Sequence, residues 1–129
     1  MKNISLKYES SKNNSEVRES IKNEIENSGF KVLNELNLSE KIRQTLKIDF
    51  DDYIILEVCN PKFAQEILAQ DKSAGLFLPC KIAVYSDDSI TKIELLKPTI
   101  TSDYFYNKHI ESVTDKIETI LDEIIKKSL

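Results

Sequence analysis

Five strands and four helices, in the order β-α-β-α-β-α-β-β-α, make this an α+β chain. The expected architecture is one domain over residues 1–129, a mixed five-stranded sheet with helices packed mainly on one face. Three observations predict it. Short segments with an apolar-polar period of two alternate with segments whose apolar residues recur every three or four positions. Polar or glycine punctuation separates them. Near residue 88 two strand-like runs follow each other without a helix between them, which places a hairpin among the crossovers.

The first element is "ISLKYE", where Ile4, Leu6 and Tyr8 alternate with Ser5, Lys7 and Glu9, as in a half-buried strand. "SSKNNS" supplies a turn and an N-cap from Asn14 or Ser15, and Val17, Ile21 and Ile25 then line one helix face. Gly29 stands where a left-handed residue closes a helix. "FKVLNEL" reads as a second strand, and Asn37 or Ser39 caps a short helix that carries Ile42 and Leu46. "YIILEV" is apolar enough for a central strand.

Asn60-Pro61 opens the third helix, Asn as cap and Pro at the first helical position, with Phe63, Ala64, Ile67 and Leu68 as its buried face. "CKIAVYS" and "ITKIELL" form the hairpin across Asp87, Asp88 and Ser89. Ile110, Val113, Ile117, Ile120 and Ile124 mark a long closing helix.

Composition removes several functions. The net charge is −4, and the only two arginines, Arg18 and Arg43, lie in different segments. Nucleic-acid surfaces gather basic residues on one face, so no nucleic-acid partner is expected. Two glycines in the whole chain cannot write a P-loop or a dinucleotide fingerprint. One histidine, His109, leaves no histidine-rich metal site. No cofactor and no metal are expected. The apolar runs are too short to span a bilayer and the start lacks a signal-peptide core, which gives the expectation of a soluble cytoplasmic protein with no membrane partner and reduced cysteines.

Alternation also assigns the sheet face that the helices leave open. Ile54, Leu56, Val58, Ile82, Val84, Ile93 and Leu95 turn towards the helices. Tyr53, Ile55, Ala83, Tyr85 and Leu96 turn outward, together with Glu57, Lys81, Lys92 and Glu94. An outward surface this apolar is a candidate homodimer face with tyrosine anchors.

The other candidate centres on "GLFLPC". In a regular strand Cys80 shares the parity of Ile82 and Val84 and packs as a small apolar residue. A bulge at Pro79 would instead turn Cys80 towards Cys59, at the end of "LEVC". Cys59 precedes a helix N-terminus, which favours a thiolate. Yet twenty residues separate the cysteines and no C-x-x-C spacing supports them. Other polar groupings have structural readings: Asp49, Asp51 and Asp52 as a turn, and Tyr104, Tyr106 and His109 as the docking segment of the last helix.

At "GF" (Gly29-Phe30), "VCNP" (Val58–Pro61) and "LPC" (Leu78–Cys80), in that order, the chain resembles the family called domain of unknown function 302. The likeness runs from the first strand to Pro98. It implies a compact α+β domain able to form homodimers and brings no activity, substrate or cofactor with it. Both cysteines fall inside the matching motifs, which points to a shared pocket near Cys59, Asn60, Pro79 and Cys80. The leading reading is thus a non-catalytic homodimer that binds a ligand or partner. The alternative is a thiol-based redox or sulfur-handling protein in which Cys59 attacks and Cys80 resolves.

Overall fold

The computed structural model describes residues 3–129. Strand β1 (Ser5–Ser10) leads into helix α1 (Asn14–Glu26), then β2 (Lys31–Asn37), α2 (Leu38–Leu46), β3 (Tyr53–Cys59) and α3 (Pro61–Gln70). A 3-10 turn at Lys72–Phe77 precedes β4 (Cys80–Asp87) and β5 (Ile90–Leu96). A second 3-10 turn at Pro98–Asp103 precedes α4 (Lys108–Ser128). The class and the element order are those the sequence predicts.

The sheet differs in one respect. Its order is β1-β5-β4-β3-β2, and every adjacent pair is antiparallel, so the sheet is not mixed. The reason lies in where the helical connections land. α2 and α3 each return the chain to the strand beside the one it left, so they work as long hairpins. β1 and β2 run in the same direction, but they lie on opposite edges and never pair.

Helix starts follow short polar side chains. Asn13 caps α1 by accepting the Glu16 N–H at 2.9 Å, one residue ahead of the expected Asn14 or Ser15. Asn14 is used otherwise: it is buried, donates Nδ2 to the Val84 carbonyl at 3.1 Å and accepts from Arg18 Nε at 2.6 Å. It ties α1 to the centre of the sheet, and a buried bond of this kind contributes about 1 kcal/mol. Gly29 has φ +86°, the left-handed conformation in which a side chain is strained. Asn60 accepts from Lys62 N and Phe63 N, with Pro61 following as the sequence anticipates.

The core is one cluster between the sheet and α1, α3 and α4. Val17, Ile21 and Ile25 meet Ile54, Leu56, Ile82, Val84, Ile93 and Leu95, all effectively sealed from solvent. Truncating any of the larger ones to alanine would cost about 2–5 kcal/mol. α4 buries Leu121 and Ile125 along with the expected Ile110, Val113, Ile117 and Ile124. Tyr8 crosses from β1 to donate to Asp122 Oδ1 at 2.5 Å. On the expected apolar stripes, Ile4, Leu46 and Leu68 lie exposed instead. Ile4 precedes its strand, and α2 lies at the margin of the sheet with only Ser39 fully buried.

Candidate functional site

β4 begins at Cys80, which pairs directly with Val58, and the register runs without interruption to Tyr53↔Tyr85. "GLFLPC" is therefore not a strand with a bulge. Its first three residues close the 3-10 turn, where Leu76 is 87% exposed, and the cis Leu78–Pro79 bond precedes the strand. The sheet does have a register shift, on β2 between Val32 and Asn34.

With regular pairing, Cys80 joins Ile82 and Val84 in the core at 8% exposure. Cys59 is half-buried and has the parity of Tyr53, Ile55 and Glu57 on the open face. The two residues are near in the sheet, but alternation sends their side chains to opposite sides of it. Both are free thiols.

Their surroundings disfavour the thiolate. Burial pushes the Cys80 thiol up to about 12, and the neighbouring Cys59 adds to the rise while Lys81 opposes it. Burial also raises Cys59. The helix start beside Cys59 offers it little, because Asn60 Oδ1 already accepts the first N–H groups of α3. Asn60 thus caps a helix, and Pro79 sets the entry to a strand. Among the described residues no group of three His, Cys, Asp or Glu side chains is arranged to hold a metal ion.

The open face carries more organised chemistry. Tyr53 and Tyr85, opposite each other on β3 and β4, stack with centroids 5.3 Å apart and planes at 19°. Tyr85 Oη donates to Glu94 Oε2 at 2.6 Å, and Ser5 Oγ donates to Glu94 Oε1 at 2.7 Å. These two bonds hold the Glu94 carboxyl below its usual range, the Tyr85 bond contributing most. The same Glu94 bond lifts Tyr85 to about 12. Lys81 leans the other way, to Glu57 Oε2 at 3.5 Å and the Pro79 carbonyl at 3.3 Å.

Between them Ala83, the smallest side chain on this face, leaves a trough of about 180 Å³. Ile4, Ile55 and Leu96 give it apolar walls, and Ser5, Lys81 and Glu94 give it polar ones. The sequence pattern places Tyr53, Ile55, Ala83, Tyr85 and Leu96 on one face, and all five are half-buried there. It does not reveal the Ser5–Glu94–Tyr85 chain. The cross-strand register Ser5↔Leu96 that carries it follows from β1 joining β5 rather than β2.

The other polar groups are dispersed. Arg43 bonds Asp52 and the Phe50 carbonyl, fixing the loop before β3. Asp88 and Ser89 form the two-residue hairpin turn with positive φ. In the segment before α4 it is Phe105 that packs on the core, set edge-on against Phe77, while Tyr104, Tyr106 and His109 are exposed.

A one-sided α+β domain with an antiparallel open face and two unactivated thiols is what the fold and site define. The chain belongs to the family described as Domain of unknown function DUF302, whose model matches residues 6–128. It is similar to a solved structure described as an uncharacterized conserved protein DUF302 from Bacillus stearothermophilus. The two are 30% identical with a TM-score of 0.90, and the match covers 98% of each chain. No curated protein matches.

Two outcomes follow for the cysteines. Alkylation near neutral pH, read by mass spectrometry, labels Cys59 slowly and Cys80 only on unfolding; rapid native labelling of Cys80 contradicts its placement. Stability of the wild-type protein also falls as pH rises from the usual thiol value of 9.0 towards 12. In that window the unfolded Cys80 has lost its proton and the folded one has kept it, so ionisation favours unfolding. Denaturation midpoints of wild type and Cys80→Ala across that range check this: the variant shows the shallower decline.

Proposed function

We propose that the protein is a non-catalytic binding domain whose open sheet face associates with a second copy of the chain. The observation that carries this reading is the composition of that face. Tyr53, Ile55, Ala83, Tyr85 and Leu96 form a half-buried apolar surface continuous with exposed Leu36, which pairs with Ile55. Around it, the five strands contribute Lys7, Lys31, Lys81 and Lys92 against Glu9, Glu57, Asp87 and Glu94. The chain as a whole carries −4, yet this face balances four lysines with four carboxylates.

That balance favours a like partner. An isologous interface brings a surface against itself, so a face of one sign would repel its copy. A neutral face that carries both signs lets lysines of one copy meet carboxylates of the other. The stacked tyrosines supply large contact area with few rotatable bonds. The half-buried rather than sealed state of all five apolar residues leaves surface for burial on association.

The thiol reading has no comparable support, since burial raises both thiols and sheet alternation separates them.

Sedimentation velocity across micromolar concentrations tests the dimer. The wild type sediments as a dimer, and Ala83→Arg, which places a charge at the centre of the face, sediments as a monomer with unchanged helical circular dichroism. A wild type monomeric at every concentration, or an Ala83→Arg protein that remains dimeric, contradicts the proposal.

A further inference from the structure

The trough on the open face has a charge arrangement that a purely apolar contact does not require. Ala83 lies opposite Glu94 in the β4–β5 register, and Lys81 is two residues earlier on β4. Lys81 and Glu94 are therefore diagonal neighbours on one face, a separation of about 7–8 Å between backbones. Opposite charges so placed commonly pair. Here they do not: Lys81 is drawn towards Glu57 on β3, while Glu94 is bonded by Ser5 on β1 and by Tyr85 on β4, beyond Ala83 from Lys81.

The result is a fixed anion and a cation lining one trough together with the apolar Ile55, Ala83 and Leu96. Glu94 is held ionised, and its two oxygens each accept one bond, leaving further acceptor positions free. Lys81 has three donors and only two long contacts. The volume of about 180 Å³ falls below the roughly 300–1,000 Å³ of ordinary ligand pockets, so any occupant is small.

We infer that the trough binds a small zwitterion of the α-amino-acid class with a branched aliphatic side chain. Its ammonium donates to Glu94, its carboxylate accepts from Lys81, and its side chain lies on Ile55, Ala83 and Leu96. Anion and cation on one short molecule match the two charges, and neither charge alone specifies such a ligand. The inference rests on the reading of this face as the binding surface, and it names the small molecule which that surface takes.

The test is titration of isotope-labelled protein with L-valine, isobutylamine and 3-methylbutanoic acid, following the amide signals of Lys81, Ala83 and Glu94. Valine gives saturable shifts and binds about tenfold or more tightly than either half-molecule, as two charge-assisted contacts require. Glu94→Gln weakens valine and isobutylamine but not 3-methylbutanoic acid; Lys81→Met weakens valine and 3-methylbutanoic acid but not isobutylamine. The spectra of both variants report directly that they are folded.

No saturable shift with valine, equal binding of a half-molecule, or variants that leave valine unaffected would each overturn the inference. Sedimentation of the same samples separates it from the dimer. A dimer that ignores valine removes the ligand and keeps the interface. A monomer that binds valine removes the interface and keeps the ligand.

Discussion

The structure depends on the unbroken register of β4 against β3 and β5. From Cys80 to Asp87 each residue has a partner, and the period of two is never interrupted. That regularity commits Cys80, Ile82 and Val84 to the helices and Lys81, Ala83 and Tyr85 to the other face. Because α1, α3 and α4 pack on the first face, they leave the second uncovered among the described residues. One-sided coverage is a general property of antiparallel sheets. What distinguishes this one is how apolar, and how evenly charged, its uncovered side is.

The same register decides the chemistry of the thiols. A single inserted residue at Pro79 would have turned Cys80 outward beside Cys59. The strand instead starts after the proline, where a missing N–H costs the ladder nothing. Cys80 then packs beneath the sheet, and Cys59 lies by alternation on the open side. Desolvation outweighs the nearby helix terminus at Cys59 because Asn60 has already occupied that terminus. The polar organisation of the molecule lies elsewhere, in the chain from Ser5 through Glu94 to Tyr85.

Much of this was legible in the sequence, for identifiable reasons. The stripes Val17-Ile21-Ile25 and Ile110-Val113-Ile117 mark helices because burial on one side imposes their period. Asn60-Pro61 marks a helix start because both residues act locally. The outward set Tyr53, Ile55, Ala83, Tyr85 and Leu96 is readable because strand parity survives without knowledge of neighbours. Strand order is not a local property. That β1 would join β5 at one edge and leave β2 at the other, making the sheet wholly antiparallel, has no signature within either strand. The contact of Ser5 with Glu94, and hence the trough, depends on that order. Asn14 was readable as a cap and became instead a buried tie to Val84, because Asn13 reached the helix terminus first.

The central claim is that a second copy covers the open face. Isotope-filtered NOE measurements on a mixture of labelled and unlabelled chains address it most directly, because they report contacts between copies residue by residue. The account predicts intermolecular contacts from the Ile55 and Ala83 methyl groups to tyrosine rings of the other copy. Contacts confined to exposed apolar residues on the helices, such as Leu46 and Leu68, or none at all in a protein that is dimeric, would contradict it.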